Sequence, residues 1–201
     1  MCREQLPVWQ SFYEKHHGPN FEVIGVAMDA ASPENARQFY DGARAAFVRG
    51  VDRADALWST LGFQVVPNGI FIDEQGIVRY AKFGGFEARV KPDVDAIEKL
   101  LAAPWTPAAA AAPVKRAAPQ PAAAEGPDSA RYWFRLGTES LQKGDKPAAA
   151  RHWRKALSLD PNNFVIRKQI WALEHPEQFY PKINFDWQRE QLAAERKSEG
   201  R

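Results

Sequence analysis

Cys2 is the single cysteine of the 201-residue chain, and it stands just ahead of a helical pattern. Leu6, Trp9, Phe12 and Tyr13 recur at the spacing of one helix face, so the thiol falls at or just inside a helix start. Unpaired backbone N–H groups and the positive end of the helix dipole favour thiolate over thiol there. The expectation is a thiol of lowered pKa, suited to disulfide exchange. Pro7 follows within the same pattern and should remove one backbone hydrogen bond and kink the helix. The competing reading of a lone cysteine is a small buried apolar residue.

Other reactive side chains carry less. His16 and His17 are neighbours on a helix and point apart, with no Cys or carboxylate pattern to complete a metal site. His152 and His175 stand alone. Gly84-Gly85 has no Lys-Ser/Thr after it, so it is not a phosphate loop. No metal and no cofactor is expected.

The elements that must hold Cys2 follow in order. Phe21–Met28 reads as a short strand whose near-continuous apolarity predicts cover on both faces. Ser32 can cap a helix with Pro33 at its first position and Glu34 in its first turn, running to about Ala46. Phe47–Val51 is a possible strand, and Asp55–Leu61 one or two helical turns. Phe63–Asp73, a turn at Gly76 and Ile77–Phe83 read as an antiparallel hairpin. A helix over Asp93–Leu101 closes the unit, with Val94, Ile97, Leu100 and Leu101 on one face.

Cys2-Arg3-Glu4-Gln5-Leu6-Pro7 resembles the C-R-x-x-x-P start of the active-site helix in thioredoxin-like proteins, in particular thiol-disulfide oxidoreductases of the TlpA/ResA type. Val66-Pro67 ahead of Phe71-Ile72-Asp73 is similar to that family's cis-proline stretch. Asn68 and Gly69 depart from the residues usual after the proline, which puts substrate preference in question. The resemblance implies an α/β thioredoxin-like domain over residues 1–102. Cys2 would be the second, resolving cysteine, with Val66 and a cis Pro67 facing it as the peptide-binding edge. The family's preceding strand and first cysteine have no counterpart here. That strand lies between the ones matching Phe21–Met28 and Gly69–Asp73, so two apolar edges are expected to stand open at mid-sheet. Either an upstream segment supplies the strand and the first cysteine, or the gap is filled another way.

Residues 103–127 are mostly Ala and Pro and read as a semi-stiff spacer between domains. Residues 128–201 read as a small all-α module. Its stretch from Ala130 to Asn163 resembles a tetratricopeptide repeat over the full period. Trp133, Leu136 and Gly137 open the first helix, Gly144-Asp145 makes the turn, Ala149, Trp153 and Ala156 lie on the second, and Pro161 closes the unit. Ser140 and Lys146 replace the repeat's usual aromatics. One repeat cannot bury its own apolar face, so a third helix over Phe164–Leu173 should cap it, before a charged helix from Gln188 to about Lys197. Trp133 and Trp153 are expected in the core, Trp171 and Trp187 at a partner interface.

A formal net charge of +2 gives no case for nucleic acid, and no basic stripe with interleaved aromatics exists. No apolar run is long enough to span a bilayer, and no signal peptide is visible. Oligomeric state is not legible. The leading expectation is a thiol-disulfide oxidoreductase with a repeat module for protein clients or a redox partner. Catalysis by the two-cysteine route would require a first cysteine upstream of Met1. The alternative is a redox-inactive scaffold for protein interaction, and a one-cysteine peroxidase is a third, weaker reading. The family resemblance alone points to a bacterial cell-envelope or periplasmic setting.

Overall fold

The computed structural model describes residues 2–29, 33–53, 56–103 and 126–200. The Ser32 cap, Asp55 and most of the Ala/Pro-rich spacer lie outside them.

Arg3–Gln5 form one 3₁₀ turn that runs directly into α1, Leu6–His16. The chain continues through β1 (Ile24–Ala27), α2 (Pro33–Gly42), β2 (Val48–Val51) and α3 (Ala56–Leu61). It then forms β3 (Gly69–Ile72), β4 (Val78–Lys82) and α4 (Lys91–Ala102). Pro7 lies in the first turn of α1, not in its interior. A first-turn N–H has no intrahelical acceptor, so the proline removes no bond. The kink expected from it is instead a junction between 3₁₀ and α geometry.

β1 pairs with β2 in parallel, Ile24 opposite Val48. β3 pairs with β4 antiparallel, Gly69 opposite Lys82. Gly76, at φ 78°, closes the hairpin, where the Asp73 carboxylate accepts the N–H groups of Gln75 and Ile77 at 3.0 and 2.9 Å. Among the described residues no ladder joins β1 to β3, so the sheet stands as two separate pairs. The first half of the expected hairpin strand, Phe63–Asn68, is loop. There the Asn68 side chain donates to the Val65 carbonyl at 2.5 Å and accepts from the Gly84 N–H at 2.8 Å. Those bonds do locally what a strand ladder would otherwise do.

Helix α1 ties the two pairs together. Its Tyr13 packs with Ala36, Tyr40 and Phe47 against β1, while its Phe12 packs with Phe86 and Ile97 near the hairpin. Trp9 touches both groups and stacks on Phe86 at 5.2 Å between ring centres. A Cβ on Gly25 would come within 2.8 Å of the Phe47 ring, so glycine permits that close approach. The opposite face of β1 is uncovered, with Ile24 68% exposed. This corrects the expectation of a strand covered on both faces. Apolarity sets what a strand can bury, but here only the Gly25 side meets the aromatic layer.

The helical module comprises α5 (Ala130–Gln142), α6 (Lys146–Leu159), α7 (Phe164–Glu174) and α8 (Phe185–Ser198). Gly144, at φ 83°, makes the α5–α6 turn, and Asp145 caps α6 by accepting the Ala148 N–H at 2.9 Å. Trp153 lies directly over Gly137, which has no side chain to block it, and donates Nε1–H to the Phe134 carbonyl at 3.0 Å. Asn163 caps α7, and the buried Arg167 guanidinium binds the Pro161 carbonyl, Glu195 and Glu199, fastening α8 to α7. The final helix starts three residues earlier than expected because Asn184 caps it, accepting from Trp187 N–H at 3.0 Å. No helix among the described residues is long and apolar enough to cross a membrane.

Candidate functional site

Cys2 adopts helical backbone angles immediately before the 3₁₀ turn, and its carbonyl accepts the Gln5 N–H at 3.3 Å. Gln5 is buried, and its Oε1 accepts the Ala88 N–H at 2.9 Å. Two residues back, the Phe86 N–H donates to the Pro67 carbonyl at 3.2 Å. Segment 86–88 is thus a short strap between the Cys2 turn and the Val66–Pro67 loop. The Val66–Pro67 peptide is cis. Val65 and Val66 present exposed side chains beside it, leaving an apolar edge open to solvent. A second cis proline bond, Tyr180–Pro181, was not anticipated.

The Cys2 side chain reaches solvent, yet the protein packed around it is dense enough to push the thiol's pKa up. Burial is the main cause. Lys168 of α7 pulls the other way, and Glu87 adds to the rise. This corrects the expectation of a thiol acidified by a helix start. A single 3₁₀ turn aligns few peptide dipoles, and desolvation of the thiolate outweighs them.

The surroundings of Cys2 come from both halves of the chain. The Arg3 guanidinium lies over the Phe39 ring at 3.8 Å and 5.0 Å from the Tyr180 ring, and it donates to the Phe179 carbonyl at 2.7 Å. Tyr180 donates its hydroxyl to Asp29 at 2.7 Å, and burial together with that carboxylate raises the phenol's pKa. Gln169 donates to the Met28 carbonyl at 3.1 Å and Gln142 to the Arg53 carbonyl at 3.1 Å. Trp58 of α3 joins Phe134, Trp153 and Ile166 in one apolar cluster. Sequence reasoning reached Cys2, Val66 and Pro67 but missed Gln5, Lys168 and Tyr180. Gln5 stands in the polar run Arg3-Glu4-Gln5 and carries no signal of burial, and the others meet the site only through tertiary contact.

Trp171 is not at the surface expected of an interface residue. Trp171 is 2% exposed, packs with Ala172 and Phe179, and donates Nε1–H to Glu195 at 2.6 Å. Trp187 is half-buried and packs edge-on against it at 5.7 Å. The small module uses the Trp171 ring for its own second core, with Trp187 packed against the edge of that core. Trp153 is fully buried as expected, whereas Trp133 is half-buried at the module's edge, donating to the Pro127 carbonyl. His16 Nε2 lies 3.2 Å from the Glu98 carboxylate.

The family model described as redoxin matches residues 1–101, half of the 201-residue chain. The chain belongs to the redoxin family. A tetratricopeptide-repeat model matches residues 130–163, covering α5, α6 and the Asn163 cap. The thioredoxin-like redoxin domain therefore carries a repeat module of the kind used for protein interaction. Searches of curated proteins and of solved structures each found no significant match.

Proposed function

We propose that this redoxin exchanges disulfides with protein clients at Cys2, in the manner of TlpA/ResA-type oxidoreductases, with the Val65–Pro67 edge receiving the client chain. The observation that carries the reading is the strap through Gln5, Ala88, Phe86 and Pro67, which joins the thiol-bearing turn to an exposed apolar edge. The raised thiol favours a resolving role for Cys2 over first attack, because a first nucleophile needs thiolate near neutral pH. In that role the Cys2 thiolate attacks a mixed disulfide between a client and a first cysteine. A new S–S bond forms to Cys2 and the client sulfur leaves as thiolate. A dithiol reductant then donates two electrons and returns Cys2 to the thiol. The reading requires a first cysteine besides Cys2, the single cysteine of this chain.

The same raised thiol, in a chain with one cysteine, favours the second reading, a redox-inactive scaffold. Insulin reduction driven by dithiothreitol separates them. The chain extended upstream with a first cysteine accelerates it and the Cys2→Ser form of that extended chain does not; equal rates overturn the exchange reading and leave the scaffold. Pro67→Ala should slow the reaction with insulin more than with oxidised glutathione, since only a polypeptide uses the apolar edge.

A further inference from the structure

We propose that the docked helical module is a gate on Cys2, which admits small reagents to the thiol and holds protein-sized partners away until the interface opens. The inference rests on the reading of Cys2 as the reacting thiol.

Hydrogen bonds between the two halves gather along one edge of the redoxin domain. Met28 and Asp29 follow β1, Arg53 follows β2, and Arg3 follows Cys2 itself. β1 and β2 are parallel, so both end at this edge, and the Cys2 turn stands at the same place. The module meets it with Gln142 of α5, Gln169 of α7 and the Phe179-Tyr180 turn. Lys168 sits next to Gln169 and lies close enough to Cys2 for their charges to interact. A client must present its disulfide with the S–S bond in line with the attacking Cys2 sulfur, and it brings its own chain with it. A reagent of a few atoms passes; a folded client meets α7 and the Tyr180 turn.

The contact is built to open. Its polar part is a handful of separate hydrogen bonds, each contributing only modestly once the lost hydration is counted. Its apolar part is Met28 and Trp58 against the module's core. Polar contacts between domains of one chain resemble those of transient complexes. The Arg3 guanidinium, held between Phe39 and Tyr180 and bonded to the Phe179 carbonyl, is the latch nearest the thiol.

The test uses the full chain and two maleimides, N-ethylmaleimide and a polyethylene-glycol maleimide of protein-like size. The ratio of their rates at Cys2 is compared with the ratio on the urea-unfolded chain. The native ratio should favour the small reagent several-fold more than the unfolded one. Tyr180→Phe, which removes only a hydroxyl, should narrow the gap, and Tyr180→Phe with Gln169→Ala should close most of it. Equal ratios in native and unfolded chains overturn the gate, and so does a native ratio that the double variant leaves unchanged. Loss of the insulin activity reading, by equal rates for wild type and Cys2→Ser, leaves these ratios standing, so the two failures are distinguishable.

Discussion

The helical module and the redoxin domain solve the same problem to different degrees. In the module, Ala149, Trp153, Ala156 and Ile166 are wholly buried, and the helices that bury them are neighbours in sequence. In the redoxin domain the layers come from strands far apart in the chain, and Ile24, Val48, Ile72 and Phe83 remain exposed. A repeat module needs only the next helix to finish its core. A sheet needs its interior strands, because a missing one leaves both its neighbours with an open edge. The difference teaches where the redoxin domain borrows order: Trp58 of α3 inserts into the module's core, not into its own.

The comparison breaks most visibly at Trp153. Trp153→Ala removes the largest fully buried ring and leaves the Phe134 carbonyl without its indole donor. A cost of about 3–5 kcal/mol is expected from the cavity alone. Because Trp58 packs on the same cluster, the loss should spread into the redoxin domain, visible in urea denaturation as one earlier transition and in hydrogen exchange as lost protection of α3. Protection lost only in α5–α7 would show that the two cores are independent.

How far these features were legible in the sequence follows from contact range. Gly137 and Trp153 are read together because the repeat places them at fixed spacing on adjacent helices. Asp145 and Asn163 are caps whose role is settled within three residues. The thioredoxin-like order and the Val66–Pro67 loop were legible from motif. The state of Cys2 was not: burial raises its pKa and Lys168 of α7, more than a hundred and sixty positions away, pulls it back, and neither is legible locally. Trp171 misled for a related reason. An aromatic in a small module reads equally well as surface or core until α8 is seen lying across it, fastened by Arg167.

Acid should separate the two regions. The buried Asp93 carboxylate binds Lys82 at 2.8 and 2.9 Å, the Glu87 N–H at 3.0 Å and the Tyr80 hydroxyl at 3.3 Å. Burial pushes its pKa up, but Lys82 and the N–H bond outweigh burial and hold it below the ordinary carboxylate range. A folded-state pKa below the unfolded one means that the stabilisation is present above the unfolded value. It is lost as pH falls through the folded value. Asp93→Asn should therefore cost about 1–3 kcal/mol at neutral pH, with the gap to wild type shrinking in acid. Hydrogen exchange should show β3, β4 and α4 losing protection before α5–α7. Simultaneous loss would mean that the module cannot stand when the hairpin loosens.

The smallest effect tests the open face of β1. Ile24 is 68% exposed, while Gly25 beside it faces Tyr40 and Phe47. Ile24→Thr keeps a β-branched side chain, so strand propensity is retained and only exposed methyl surface is lost. A change within about 0.5 kcal/mol is expected in urea denaturation, as for other surface substitutions. Phe47→Ala on the covered side should cost several times more, since it removes a buried ring from the Tyr13–Tyr40 layer. If Ile24→Thr costs as much as Phe47→Ala, then something covers this face in solution. The two regions would then differ only in where their cover comes from, not in how complete it is.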